Sequence, residues 1–106
     1  MYDFYTKLAG TTFDGRDEII EYLYLSGNMD IGHELLLKRE PNNPYDRNAI
    51  AVLHPKTLQQ IGFIQRDLAA TMSPQIDSGT IFRATVSSVT GGSGYNYGVN
   101  IRIIAL

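Results

Sequence analysis

Between two apolar stretches the chain reads Arg39-Glu40-Pro41-Asn42-Asn43-Pro44-Tyr45-Asp46-Arg47-Asn48-Ala49-Ile50. Six consecutive residues, from Asn42 to Arg47, present two amides, a phenol, a carboxylate and a guanidinium. Two prolines hold φ near one value on either side of the amides, so the segment is stiff rather than a free coil. Amides donate and accept, a carboxylate only accepts, and a phenol offers a ring face beside a polar tip. Together they are equipment for gripping a sugar-phosphate end with a base attached. The plainer alternative is a stiff connector whose Asn and Asp side chains bond their own backbone.

An enzyme would draw on His33, His54, Glu34 and Asp46. No His-x-x-x-His or comparable metal-ligand spacing occurs, and no Ser-His-Asp order stands out. The two histidines sit in loop-like positions, where solvation or a structural bond is the ordinary use. Gly91, Gly92 and Gly94 are followed by no Lys-Ser or Lys-Thr and open no helix, so they read as a flexible hairpin tip and not a phosphate loop. With no cysteine in the chain, disulfides, thiolate zinc sites and thiol catalysis are excluded. No catalysis, metal or cofactor is expected.

The elements that must position this segment are short. Phe4–Thr12 reads as a strand, and Asp14 is placed to cap a helix over Gly15–Leu25 with Ile19, Ile20, Leu23 and Tyr24 on one face. His33–Glu40, Asn48–Leu53 and Gln60–Ile64 read as three more strands. Arg66–Met72 reads as one or two helical turns, stopped by Ser73-Pro74. Ile81–Thr90 alternates with Phe82, Ala84 and Val86 inward. The closing strand carries Tyr97, Val99, Ile101 and Ile103 on one face, and a glycine-containing loop joins it to the strand before as a hairpin. Six short strands and two short helices in 106 residues point to an all-β, closed or nearly closed barrel, because closure hides strand edges.

The length fits one domain over residues 1–106. No apolar run approaches the ~18 residues of a membrane span and no secretory signal begins the chain, so a soluble, cytoplasmic protein is expected. The net charge of −2 argues against a generic nucleic-acid glue. Its distribution is uneven: residues 1–34 carry −5, and residues 35–106 carry +3. A phosphate-binding surface would therefore be local and lie in the second part.

The run from Arg39 to Asn48-Ala49-Ile50-x-Val52, with Gln60-Ile61-Gly62-Phe63-Ile64 and the later Leu68-Ala69, resembles the HIRAN domain. This is a module of DNA-repair translocases that also occurs in bacterial and phage proteins. The resemblance implies an OB-like six-stranded β-barrel with two short helices that binds single-stranded DNA and captures its 3′-hydroxyl end. It places Asn42, Asn43, Tyr45 and Asp46 in the end-binding pocket, Phe13 and Tyr95 (or Tyr97) as further aromatics, Phe63 among the DNA-binding positions and Arg66 as a basic contact. Thr12 and Phe63 stand where a DNA-binding member has a basic and a ring-nitrogen side chain. The helix near 15–25 looks like an insertion. The physics fits these roles. A carboxylate such as Asp46 accepts from a terminal hydroxyl and repels a terminal phosphate, while aromatics stack on bases without regard to sequence. The implied partners are single-stranded DNA 3′ ends and a helicase or nuclease. The competing reading is a protein-interaction module that has lost DNA binding, docking through the acidic helix with Tyr22 and Tyr24.

Overall fold

The computed structural model describes residues 3–106. The elements run β1 (Asp3–Lys7), α1 (Arg16–Leu25), β2 (Glu34–Arg39), β3 (Ile50–Leu53), β4 (Gln60–Phe63), α2 (Arg66–Asp77), β5 (Phe82–Gly92) and β6 (Tyr95–Ala105). The six strands are antiparallel to their neighbours in the order β1-β6-β5-β2-β3-β4, curled into a half-barrel. Its two ends touch at one place. Ala9, just past β1, and Phe63 of β4 exchange N–H···O bonds of 2.8 and 2.9 Å.

The alternation of the last two strands sets the core. Ala84 and Val86 of β5 and Val99, Ile101 and Ile103 of β6 are buried, and Phe82 and Tyr97 pack against them. They meet Ile50 and Val52 of β3 and Ile61 of β4, while α1 adds Ile20 and Leu23. The hairpin between β5 and β6 closes through Ser93-Gly94, both at positive φ (51° and 92°). Two left-handed residues give the twist that a two-residue hairpin loop needs. Among the described residues no helix is long and apolar enough to cross a membrane.

Several boundaries differ from the sequence-based expectation, each for a local reason. The first strand ends at Lys7 instead of Thr12, because Gly10 at φ 67° turns the chain away after Ala9 has crossed to β4. Asp14 does not cap α1. Asp14 and Gly15 both take positive φ (55° and 73°), no side-chain cap forms, and the Asp14 carboxylate turns to Arg16 Nη2 at 3.7 Å. The second helix runs through Ser73-Pro74 to Asp77. Pro74 forfeits one backbone donor, but Ile76 continues the inward stripe of Leu68 and Met72, and the buried Ser73 hydroxyl finds an acceptor in Asn48. Burial outweighs the missing bond.

Gly62 shows how tight the barrel closure is. A Cβ there would lie 2.8 Å from the Ala9 carbonyl oxygen and 3.3 Å from side-chain atoms of Leu8 and Thr11. Gly62→Ala is expected to push the 8–11 segment off β4 and cost roughly 1–3 kcal/mol, the usual size of an overpacking penalty. Thermal denaturation reads the loss, and faster hydrogen exchange at the Ala9 and Phe63 amides locates it. An unchanged melting temperature would mean that the closure is slack.

Candidate nucleic-acid interface

The 40–49 loop builds its own shape. Asn43 Oδ1 accepts from the backbone N–H groups of Tyr45 (2.9 Å) and Asp46 (3.1 Å), and Asn43 Nδ2 donates to Glu40 Oε1 at 3.0 Å. One oxygen of Asp46 accepts from the Asn48 N–H at 2.9 Å. Asn43 and Asp46 thus brace the turn as the plainer sequence reading held. They do not spend everything on it, since Asp46 Oδ2 stays clear of the backbone, with Arg66 Nε 3.8 Å away.

Helix α2 fastens the loop along one side. Arg66 faces Asp46, Ser73 Oγ donates to Asn48 Oδ1 at 3.0 Å, and Asp77 takes a two-pronged contact from Arg39 (Nε–Oδ1 3.0 Å, Nη2–Oδ2 3.1 Å). Spacings of seven and four residues put these three anchors on one helix face. Arg39 also donates through Nη1 to the carbonyls of Arg47 and Ala49, both at 3.0 Å. Arg39, Asn48, Ser73 and Asp77 were not among the sequence-derived candidates. The spacing of 66, 73 and 77 carried the signal, and it is visible only if the helix continues past Pro74.

Loop, helix start and barrel closure enclose a cavity of about 210 Å³. Asn43, Tyr45, Asp46, Phe63 and Arg66 line it, together with Ala9, Ala49 and Ile64. Its lining is mostly apolar with one carboxylate and one guanidinium, and Tyr45 among its residues is 88% exposed. Asn42 instead faces a shallow cleft of about 430 Å³ on the other side of the loop, with Lys38 and Pro41. Phe13 is exposed and lines none of these cavities. Tyr95, at the exposed hairpin tip, borders a separate cleft beside Asp17, Glu18 and Glu21 of α1. Tyr97 lies there too, packed against the Tyr24 ring at 6.2 Å. Five of the eight candidates therefore converge, and Asn42, Phe13 and Tyr95 stand apart.

His54 is buried, with Nε2 2.9 Å from the Asn28 carbonyl and Nδ1 accepting from the Lys56 and Thr57 N–H groups. Both ring nitrogens are committed to turns. His33 Nδ1 accepts from the Asp30 N–H. Among the described residues no cluster of three or more His, Asp or Glu side chains is arranged to hold a metal ion.

Hydrogen bonds from Arg39 hold the Asp77 carboxyl below its usual range, and those from Arg102 do the same for Asp3. A carboxyl with a depressed native pKa binds fewer protons folded than unfolded. Its contribution is present above the unfolded value of about 4 and is lost as pH falls through the native one. Acid titration of the folded chain is expected to loosen the 40–49 loop below about pH 4, and Asp77→Asn to loosen it at neutral pH as well. Amide exchange at Asn48 and Ala49 reads both, and protection independent of pH and of Asp77 would remove α2 from the account.

The HIRAN domain family model matches residues 1–105. A putative SWI/SNF-related matrix-associated actin-dependent regulator of chromatin subfamily A member 3-like 1 from Arabidopsis thaliana is 47% identical over 64 residues, covering 59% of this chain and 7% of that protein. The Fanconi-associated nuclease 1 homolog of Arabidopsis thaliana is 35% identical over 63 residues (58% and 7%), and the human helicase-like transcription factor 32% over 63 (59% and 6%). The chain thus spans less than a tenth of the length of these relatives. Among solved structures, the HIRAN domain of human HLTF superposes with a TM-score of 0.64 at 21% identity, covering 96% of this chain and 74% of that one. A Lactobacillus plantarum protein gives 0.70 at 20% identity, covering 96% and 94%. The half-barrel with its two helices is the fold of these neighbours, and a match over nearly every residue assigns this chain to the HIRAN domain family, known as a DNA-binding module.

Proposed function

We propose that this chain acts as a single non-catalytic module over residues 1–106 that binds single-stranded DNA and holds a free 3′-hydroxyl end in the cavity between the 40–49 loop, Phe63 and α2. One observation carries the reading: Asp46 lines a mostly apolar cavity, spends one carboxylate oxygen on its own turn, and leaves the other off the turn with Arg66 Nε 3.8 Å away. A terminal hydroxyl can donate to that oxygen, whereas the phosphate of a continuing strand meets a like charge. Tyr45 supplies an exposed ring for a terminal base, and Arg66 supplies a cation for the adjoining phosphate. Partners that process DNA ends, a helicase or a nuclease, suit a module that grips without cutting.

A linear and a covalently closed circular oligonucleotide of one sequence test this reading by fluorescence competition. The linear strand should compete at least about tenfold better, the worth of one hydrogen bond to a charged group. Among the described residues Arg66 is the one cation lining the cavity, so the salt dependence should be shallow. The protein-contact alternative draws on the exposed Tyr22 and Leu25 of α1, and it predicts no competition by either strand.

A further inference from the structure

Arg16 opens α1, yet its side chain is only 13% exposed. Nη1 donates to the Gly10 carbonyl at 2.9 Å, and the guanidinium carbon lies 5.1 Å from the centre of the Phe63 ring. Its ionic partner Asp14 is 3.7 Å away and 86% exposed, which makes a weak, screened pair. A guanidinium kept this far from water needs compensation, and here the carbonyl and the ring face provide it.

The placement bears on the cavity. Phe63 lines it and Arg16 does not, so the guanidinium backs the ring from outside. Phe63 also makes both backbone bonds to Ala9, and Gly10 is the next residue, so Arg16 grips the two partners of the barrel closure at once. We propose that Arg16 is a positioning residue of the nucleic-acid cavity. It sets the Phe63 ring as the cavity wall and places a positive charge behind it, which strengthens the hold on a terminal nucleotide in front. This inference rests on the DNA reading above.

Arg16→Lys and Arg16→Met, each in the natural chain and in a Phe63→Leu background, provide the test. Lys keeps the charge and a donor, while Met keeps the stem alone. Titration with a fluorescent single strand bearing a free 3′-hydroxyl should show Arg16→Met weaker by about threefold to tenfold. Arg16→Lys should recover most of that loss. In the Phe63→Leu background the effect of Arg16→Met should nearly vanish, because the ring through which Arg16 acts is gone. Equal losses in both backgrounds, or losses that follow the melting temperature in Lys and Met alike, would make Arg16 a brace and overturn the proposal. Absence of measurable binding by the natural chain would overturn the DNA reading itself. In that case ¹³C signals of the Phe63 ring still test the positioning, which fails if Arg16→Met leaves them unmoved.

Discussion

Asp46→Asn is expected to bind a 3′-hydroxyl strand less tightly and to lose most of its discrimination against a 3′-phosphate, while remaining folded. The amide oxygen can still accept from the Asn48 N–H, so the turn is kept. The negative charge is gone. Losing a hydrogen bond to a charged group costs about 1.5–3 kcal/mol, reduced where the amide partly replaces the carboxylate. Arg66→Ala provides the contrast. Its side chain is 78% exposed and 3.8 Å from Asp46, so little stability depends on it. It should weaken hydroxyl and phosphate ends by similar factors and flatten the salt dependence, since a phosphate contact positions without selecting. If Asp46→Asn lowers the melting temperature and leaves the ratio of the two ends unchanged, Asp46 is a turn residue only.

Tyr45→Ala should produce a large loss of affinity with the least disturbance of the fold. The ring is 88% exposed, so its removal should leave the melting temperature almost where it was. Stacking of one base is worth about 1–3 kcal/mol, which corresponds to roughly fivefold to 150-fold in affinity. Tyr45→Phe keeps the ring and should bind nearly as the natural chain does. Tyr22→Ala, also exposed on α1 at 67%, is the control and should change nothing. If Tyr22→Ala weakened binding and Tyr45→Ala did not, the DNA surface would move to α1.

The 40–49 loop was legible because its structure is local: Asn43, Tyr45 and Asp46 fall within four residues, and proline-flanked Asn and Asp turns follow from short-range rules. The hairpin strands were legible because Ala84, Val86, Val99, Ile101 and Ile103 obey a period of two. What holds the loop in place was not legible. Arg39 and Asp77 are 38 residues apart, and their pairing depends on a helix that runs through Pro74, where local propensity says stop. The expected cap at Asp14 failed because two successive residues with positive φ aim its carboxylate away from the free amides of α1. Arg16 was passed over because its ring partner lies 47 residues further on, across the barrel closure, and no spacing rule joins them. Phe13 and Tyr95 were carried by resemblance alone, and the fold sets them outside the cavity that the other candidates share.

The cavity beside Asp46 is proposed to select a strand end by its terminal hydroxyl. The direct measurement is the affinity of the natural chain for two short single strands, identical except that one ends in a 3′-hydroxyl and the other in a 3′-phosphate, at one moderate salt concentration. A preference of at least about tenfold for the hydroxyl is the predicted result, combining a charged hydrogen bond gained with a like charge avoided. Equal affinity for the two ends, or tighter binding of the phosphate, would contradict it.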